Sequence, residues 1–422
     1  MISSQANLPY STAMPFSSLG LSASLVRAVS SHSAATPVQV AAIPVALAGG
    51  DVMATACTGS GKTLAFVLPL LQRWLGARHD SPRRLHTLVL VPTRELAAQV
   101  TETVRRCAAH LPERIKVVSA VGGLSINPQM MALRGGADFV IATPGRLLDL
   151  VGHNALQLSH VAALVLDEAD RLLDLGFANE LARILSLLPR DRQNLLFSAT
   201  FPPAVRTLAE KLLLDPTVIE IAAAPTESSL IRQRAIEVDS ARRTPLLVHL
   251  IKSEGWSRVL VFVAKKYSAS HVADKLRQNG ISAMDFHGEL SQGARSQALD
   301  DFKNSRVRVL VATDLAARGL DIAQLPVVFN YDLPRSAADY VHRIGRTGRA
   351  GETGLAVSLI TAASHAHFCL IEKRHHLTVP RERIPGFEPT ESALPPSTGG
   401  IKGLRKSKKD KLREETKLRV DG

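Results

Sequence analysis

A short apolar run that ends in three carboxylates constrains this chain more than any other feature. Residues 162–166 are apolar, and Asp167, Glu168 and Asp170 follow within four positions. Such a run suits a buried strand, although periodicity alone does not exclude a helix segment. Parallel strands covered on both faces are apolar throughout, and ligands bind beyond their carboxyl ends. We therefore predict Asp167 and Glu168 at the rim of a sheet, beside a metal-bound phosphate. A solvated acidic turn is the alternative interpretation.

The same arrangement recurs along the chain, with apolar runs that end in polar signatures and alternate with stretches of helical spacing. This alternation implies a parallel sheet with crossover helices, so the signatures would share one edge of the sheet. A stretch without periodicity, residues 221–230, separates two such series and is predicted to be a linker. The other apolar runs are residues 52–56, 87–91, 139–142 and 194–197 in the first series and 259–263, 307–311 and 327–330 in the second.

The length and composition are those of a globular protein. A chain of 422 residues suggests two or three domains, and 45% of the residues are hydrophobic. No segment approaches the roughly 18 consecutive apolar residues that span a membrane. The first 25 residues lack the basic start and apolar core of a secretory signal. The three cysteines, Cys57, Cys107 and Cys369, have no metal-site spacing, so we expect a reducing cytoplasm.

The charge balance indicates the kind of partner. A net charge of +13 and a pI of about 10.0 favour a polyanion such as nucleic acid, or an anionic membrane surface. Aromatic residues make up only 4%, which argues against rows of base-stacking rings and favours backbone contacts. Residues 401–422 hold nine Lys or Arg against four Asp or Glu. This tail is expected to be disordered, or a marginal helix, and to add unspecific affinity for RNA.

Residues 56–63 form a glycine-rich loop between an apolar stretch and a helical run. Gly59 and Gly61 allow the backbone to bend and to bring N–H groups close to phosphate. Lys62 supplies a charge for the outer phosphates, and Thr63 supplies a hydroxyl for Mg²⁺. The strict phosphate-loop pattern has glycine where this chain has Ala56. A glycine-rich turn before a helix is the alternative interpretation.

Two helical segments precede this loop. Residues 16–29 have apolar positions at helical spacing, and Thr36-Pro37 can begin the next helix with Thr as its cap. Gln39 lies in the first turn of that helix, and a Gln amide can bond adenine N6 and N7 together. A solvated helix residue is the alternative for Gln39.

Several basic and glycine residues follow the predicted strands. Arg94, Arg146 and the pair Gly122-Gly123 suit phosphate contacts, because guanidinium groups donate and bare backbone can approach closely. Each of these segments could also be a plain turn.

Three arginines spaced three apart give the sharpest signal in the second half. A helical turn would place Arg343, Arg346 and Arg349 on one face. Arginine at this density suits the charge that develops on a transferring phosphoryl group. A basic surface helix that binds nucleic acid is the alternative.

Taken together and in this order, the motifs resemble those of DEAD-box ATP-dependent RNA helicases over about residues 16–385. Residues 291–295 and 384–387 look most like the bacterial RhlE-type branch. Ala56 is the usual residue in this family. The resemblance implies an α/β fold of two tandem RecA-like domains, each a parallel sheet flanked by helices, that close on ATP and RNA. The implied organisation is a flexible lead over 1–15, a first domain over 16–220, a linker over 221–230, a second domain over 231–385 and a basic tail over 386–422.

The resemblance also implies roles for individual residues around ATP. Asp167 and Thr63 would hold Mg²⁺, and Glu168 would position or deprotonate the attacking water. Arg346 and Arg349 would reach the γ-phosphate from the second domain, and Asp321 would reach the ribose. The residues implied to hold the nucleotide are Phe16, Gln39, Thr58, Gly59, Ser60, Gly61, Lys62, Thr63, Gly319 and Asp321.

Two further groups of residues are implied by the resemblance. The first would couple hydrolysis to domain closure, and the second would grip the RNA backbone. The coupling residues are Asp170, Ser198, Thr200 and His342, and the RNA-binding residues are Pro92, Thr93, Arg94, Gly122, Gly123, Thr143, Pro144, Gly145, Arg146, Arg295 and Thr313.

The sequence departs from the family pattern at His32 and Ala35, where the family commonly has an aromatic residue and proline. A neutral imidazole stacks on adenine less well than tyrosine does, so we predict weakened ATP affinity with adenine selectivity retained.

The predicted activity is RNA-stimulated ATP hydrolysis with local strand separation. The expected protein is a cytoplasmic monomer without membrane contact, and ribosomal or RNA-decay proteins are candidate partners. The alternatives are an ATP-dependent RNA clamp or annealing scaffold, an RNA-binding protein with a decayed ATPase, and a DNA translocase. Intact Lys62, Glu168, Arg346 and Arg349 argue against the decayed enzyme.

Overall fold

Two parallel sheets organise this protein in the computed structural model, which describes residues 14–56, 59–77, 82–221, 231–317, 325–348 and 353–391. The first sheet has the strand order β3-β4-β2-β5-β6-β1-β7. Its strands are β1 (Val52–Thr55), β2 (Thr87–Leu90), β3 (Val117–Ala120), β4 (Phe139–Ala142), β5 (Ala163–Leu166), β6 (Gln193–Ser198) and β7 (Thr217–Glu220).

The helices of this first lobe connect the strands and cover the sheet. Two apolar clusters of buried side chains form its core. The helices are α1 (Ala23–Ala28), α2 (Pro37–Leu47), α3 (Lys62–Leu75), α4 (Arg94–Ala108), α5 (Ile126–Leu133), α6 (Pro144–Gly152), α7 (Ala169–Asp174), α8 (Ala178–Leu187) and α9 (Pro203–Leu212).

The second lobe repeats this topology. Its sheet has the order β10-β11-β9-β12-β13-β8-β14, so each strand has a counterpart at the same place in the first sheet. Every pairing between the described strands is parallel. The strands are β8 (Ile231–Glu237), β9 (Val259–Val263), β10 (Ala283–Phe286), β11 (Val309–Thr313), β12 (Val327–Asn330), β13 (Gly354–Ile360) and β14 (Arg381–Glu382).

Helices also flank the second sheet, above three clusters of buried apolar side chains. They are α10 (Arg243–Ser253), α11 (Lys266–Gln278), α12 (Gln292–Lys303), α13 (Asp314–Ala317), α14 (Ala337–Ile344) and α15 (His365–His375). The prediction of two parallel sheets flanked by helices is therefore confirmed. No helix among the described residues is long and apolar enough to cross a membrane.

The structure corrects the sequence-based interpretation in three places. The segment 16–29 is not one helix, because Gly20 with φ 79° separates a 3₁₀ turn (Phe16–Leu19) from α1. Of the three spaced arginines, Arg343 and Arg346 do not share a helix face, because α14 ends at Ile344, and Arg349 lies outside the described residues. Residues 386–391 do not behave as part of a disordered tail: the Asp239 carboxylate accepts hydrogen bonds of 2.8 and 2.9 Å from the N–H groups of Thr390 and Glu391.

Candidate nucleotide and RNA site

The glycine-rich loop lies where β1 meets α3. Gly59 and Gly61 have φ of 88° and 90°, in the left-handed region that favours glycine. A Cβ at Gly61 would meet the amide nitrogen of Gln39 at 2.4 Å, so this position also requires glycine for space. Lys62 begins α3 and donates to the Ala56 carbonyl at 2.9 Å. The loop thus turns its backbone at the N-terminus of a helix, where anions bind.

Gln39 joins the preceding segment to this loop through both ends of its amide. Its Oε1 accepts from the Thr36 N–H at 2.8 Å, and its Nε2 donates to the Gly61 carbonyl at 3.0 Å. Binding adenine N6 and N7 would require these contacts to be exchanged. Gln39 therefore contacts the phosphate loop directly, and adenine binding would change that contact.

Phe16 and His32 pack against each other next to this segment. Phe16 is buried in the core of the first lobe, and its ring meets that of His32 edge-on at 6.3 Å. His32 is exposed. The buried Phe16 packs against His32, and the exposed His32 ring remains accessible to a ligand. The Ala35 N–H donates to the Met14 carbonyl at 2.9 Å, a bond that proline at this position could not make.

The acidic residues after β5 are buried, as predicted for the end of a strand. Asp167 and Glu168 are 3% and 6% exposed. The Glu168 N–H donates to Asp167 Oδ1 at 3.0 Å, and Glu168 has φ 52°, an uncommon conformation for a residue with a side chain. Burial raises the pKa of Asp167 to about 6, while the Lys62 cation acts in the opposite direction. A second cation close to Asp167 would stabilise its ionised form and so offset the effect of burial.

The residues around Asp167 fit a magnesium ion. Mg²⁺ takes oxygen ligands and is commonly held by one or two carboxylates together with substrate phosphates and water. Asp167 supplies a buried carboxylate, and Thr63, in the first turn of α3, supplies a hydroxyl. Within the described residues, no group of three or more His, Cys, Asp or Glu side chains could hold a metal ion. A site shared with phosphate needs no such group.

Asp170 ties the acidic segment to the end of β6. Its Oδ2 accepts from the Thr200 hydroxyl at 2.7 Å and from the Thr200 N–H at 3.1 Å. The Asp170 N–H donates to the Ser198 hydroxyl at 3.2 Å, and that hydroxyl donates to the Thr200 carbonyl at 2.8 Å. The predicted coupling residues of the first lobe thus form one hydrogen-bonded unit.

The loop after β3 collects several of the predicted RNA-binding residues. The Gly122 N–H donates to the Thr143 hydroxyl at 3.2 Å, and Arg94 Nη1 lies 3.5 Å from the Gly123 carbonyl. A Cβ at Gly123, where φ is 73°, would meet Arg94 Nη1 at 2.5 Å. These residues come from β3, β4 and α4, so the structure brings them to one edge of the sheet as the sequence predicts.

Arg146 approaches the same loop from α6. It is 8% exposed and donates to the Leu124 carbonyl at 2.7 Å. Its Nε lies 3.5 Å from Asp149 Oδ2, and its Nη1 has no hydrogen-bond partner among the described residues. Pro144 and Gly145 precede it in the first turn of α6, and Pro92 and Thr93 precede α4, where the Thr93 hydroxyl caps the helix by accepting from the Leu96 N–H at 3.2 Å. A buried guanidinium whose Nη1 has no partner suits a phosphate oxygen.

In the second lobe, Arg343 and Arg346 have different surroundings. Arg343 is 2% exposed and pairs with both oxygens of Asp314 at 2.6 and 2.7 Å. Arg346 lies beyond the end of α14 and lines a small cavity between the lobes. Arg343 also lines this cavity, but its pairing with Asp314 stabilises the second lobe, whereas Arg346 lies at the cavity beside Arg171 of the first lobe.

The same cavity brings His342 to the first lobe. Arg171 of α7 lines the cavity together with His342 and Arg346. Burial, together with the nearby Arg171 cation, lowers the pKa of His342 to about 4, and Asp170 opposes this shift. His342 is thus neutral near pH 7. Arg171 directly follows the acidic segment, yet its role here was not predicted from the sequence.

A second contact between the lobes involves Arg295 of α12. Its Nη2 lies 2.8 Å from Glu95 Oε1 of α4, and both side chains are largely buried. The Arg295 guanidinium also lies over the Phe286 ring at 5.1 Å. The sequence-based interpretation assigned Arg295 only to RNA binding and did not assign Glu95 a partner.

The remaining RNA candidate, Thr313, ends β11, and Thr58, Gly319, Asp321 and Arg349 lie outside the described residues.

Comparisons with known proteins agree with this geometry. The family model for DEAD/DEAH box helicases matches residues 36–208, and that for the helicase conserved C-terminal domain matches residues 242–351. The chain is 37% identical over 375 residues to the DEAD-box ATP-dependent RNA helicase CshA of Geobacillus kaustophilus, covering 88% of this chain and 79% of the relative. The chain belongs to the DEAD-box helicase family.

Further relatives of this DEAD-box chain extend the comparison. It is 40% identical over 382 residues to the ATP-dependent RNA helicase DeaD of Mycobacterium tuberculosis, covering 90% of this chain and 67% of the relative. The structure of Dbp5 from S. cerevisiae bound to RNA and ADP-BeF3 matches with a TM-score of 0.77 and 31% identity, covering 90% and 96% of the two chains. The two sheets are therefore tandem RecA-like domains.

Proposed function

We propose that this chain is an ATP-dependent RNA helicase, in which RNA-stimulated ATP hydrolysis drives local separation of short duplexes. The observation that carries this proposal is the division of the site between the lobes. The phosphate loop and the buried carboxylates belong to the first lobe, and Arg346 belongs to the second lobe and lies at its contact with the first. Relatives with both parts carry the name RNA helicase, and the related Dbp5 binds RNA and a nucleotide analogue.

Each lobe supplies a different part of the chemistry. Lys62 and the loop backbone hold the phosphates, and Asp167 and Thr63 would hold Mg²⁺, which would supply positive charge to the phosphates. Glu168 positions or deprotonates the attacking water. Arg346, together with Arg349, stabilises the charge on the γ-phosphoryl group, an effect worth roughly a thousandfold or more where such fingers are known.

RNA binds along the edge formed by the ends of the strands. Arg94, Arg146, Gly122 and Gly123 contact its backbone from the first lobe, and Thr313 and Arg295 contact it from the second. Because such contacts carry no sequence information, binding is largely independent of sequence. A bent single strand fits the closed lobes better than a duplex does, so closure destabilises a short duplex locally.

Substitutions at the site test these roles separately. Lys62→Ala should weaken nucleotide binding, and Arg346→Ala should mainly lower turnover. Glu168→Gln should abolish turnover while nucleotide binding persists, as measured by titration with a fluorescent ATP analogue. Normal turnover in the Glu168→Gln protein would refute the assigned roles.

The isolated residues 1–220 should lack RNA-stimulated activity, because Arg346 is missing from them.

A fluorescence assay on a short RNA duplex, with and without ATP, decides between unwinding and clamping. Release of the labelled strand only with ATP supports the helicase. ATP-dependent binding without release would instead indicate a clamp or annealing scaffold. The same assay with a DNA duplex tests the DNA translocase.

We further propose a cytoplasmic monomer of the RhlE-type branch that works with ribosomal or RNA-decay proteins. Bacterial relatives support the location. The segments 291–295 and 384–387 support the branch, and the second of them packs on the second lobe. Crosslinking in cells, followed by sequencing of the bound RNA, identifies the substrate.

A further inference from the structure

One aromatic ring on the second lobe is exposed to solvent. Tyr267, in the first turn of α11, is 76% exposed. Every other Phe, Tyr or Trp side chain among the described residues is buried or half-buried. Tyr267 is thus the one Phe, Tyr or Trp ring in the described structure that is mostly exposed.

The place of Tyr267 in the fold is informative. It follows β9, which occupies in the second sheet the position that β2 occupies in the first. The helix after β2 begins at Arg94, which we place on the RNA backbone. Val263 at the end of β9 pairs in register with Thr313 at the end of β11. Tyr267 therefore lies at the same sheet edge as the proposed RNA contacts, one strand away from Thr313.

The first turn of α11 is held firmly on this edge. The Ser270 hydroxyl donates to Asp285 Oδ2 at 2.8 Å, and Asp285 in turn lies 3.0 Å from His287 Nε2. Lys266 forms an ion pair with Glu289. The Tyr267 ring lies parallel to the His271 ring, with centroids 6.0 Å apart and an interplanar angle of 12°. An aromatic side chain on a fixed helix turn loses little entropy when a planar ligand stacks on it.

The charge around the ring suits a nucleotide. Lys265 is exposed next to Tyr267, and Lys266 is exposed but paired with Glu289. No side chain among the described residues caps the first turn of α11, so its N–H groups can receive a phosphate. A ring beside the Lys265 cation and the uncapped helix backbone can therefore hold both the base and the phosphate of one nucleotide.

We propose that Tyr267 is a stacking platform for a nucleobase of the bound RNA strand. This inference rests on the proposed RNA-binding function and adds one base contact to a grip made otherwise through the backbone. Stacking on a ring tolerates any base, so the contact adds affinity without sequence selectivity.

The test uses the full chain, a fluorescein-labelled single-stranded RNA and a non-hydrolysable ATP analogue, with binding followed by anisotropy. Tyr267→Ala should weaken RNA binding by about fivefold to a hundredfold, the range found for loss of one base–aromatic stack. Tyr267→Phe keeps the ring face and should bind like the wild type. Leu214→Ala is the matched control, because Leu214 is 84% exposed beside Asp51 at the opposite edge of the first sheet.

A series of RNAs with one abasic residue each provides the second readout. Wild-type affinity should fall for the RNA that lacks the stacked base, and Tyr267→Ala should not respond to that change. Equal binding by Tyr267→Ala and wild type, equal weakening by Ala and Phe, or no response to any abasic residue would each overturn the platform. Those results leave the helicase proposal standing, whereas a wild-type chain that binds no RNA overturns both. If Tyr267→Ala does not fold, the abasic series on the wild type decides.

Discussion

At the scale of single residues, Arg343 of the second lobe stabilises the fold, whereas Arg346 is assigned to catalysis. Arg343 bonds Asp314, donates to the Asn330 side chain at 3.0 Å and lies over the Phe262 ring at 4.8 Å. Arg343→Ala would leave the Asp314 carboxylate without its partner. We expect it to lower the free energy of unfolding by about 3–5 kcal/mol, as for other buried ion pairs that lose one member. Urea unfolding measures this, with the exposed Arg335→Ala as control. Equal stability of the two variants would contradict the structural role.

His32 provides a second prediction at this scale. Its ring is exposed and supported edge-on by Phe16, so it is free to meet a base. A neutral imidazole stacks on adenine less well than a phenol ring, which has the larger aromatic face. His32→Tyr should therefore lower the KM for ATP with little change in kcat. An unchanged KM in steady-state ATPase assays with saturating RNA would show that His32 does not contact the base.

At the scale of elements, the segment after β14 belongs to the second lobe. Ile384 and Phe387 pack against its core, and the Arg242 guanidinium lies 5.0 Å from the Phe387 ring centre. A chain that ends at residue 391 should unfold like the full chain. One that ends at residue 385 should be less stable by about 1–2 kcal/mol, from the loss of the half-buried ring alone. Thermal unfolding of the matched pair decides, and identical midpoints would show that this segment contributes nothing.

The sequence predicted elements well where local patterns determine them. The strands β4, β9 and β12 have the predicted bounds, because unbroken apolar runs are buried on both faces. The first helical segment was predicted as one helix because its apolar spacing passes through Gly20, whose backbone conformation the pattern does not reveal. The two-residue strand β14 has no apolar pattern at all, since its pairing with β8 depends on the rest of the lobe.

At the scale of the whole molecule, the sequence could not show which residues meet across the lobes. The motif order placed Asp170, Ser198 and Thr200 near each other, and their hydrogen bonds bear out this proximity. Arg171 and Glu95 escaped notice because the second-lobe residues that they affect, His342 and Arg295, are more than a hundred residues away in the sequence. Contacts between the lobes depend on how the two sheets dock, and the residue periodicity within one segment cannot predict this docking.

The Glu95–Arg295 pair gives the last prediction, because it joins the lobes through two largely buried charges. Glu95→Arg and Arg295→Glu should each impair closure, since each leaves two like charges facing one another. The double variant restores an opposite pair, and we expect a coupling energy of about 1–3 kcal/mol between the two sites. Energy transfer between dyes on the two lobes, with ATP analogue and RNA present, measures closure. If Arg295 served RNA alone, the conservative change Glu95→Gln would leave closure intact and the double variant would close no better than Arg295→Glu. Impaired closure in Glu95→Gln, together with restored closure in the double variant, would show that the pair stabilises the closed arrangement of the lobes.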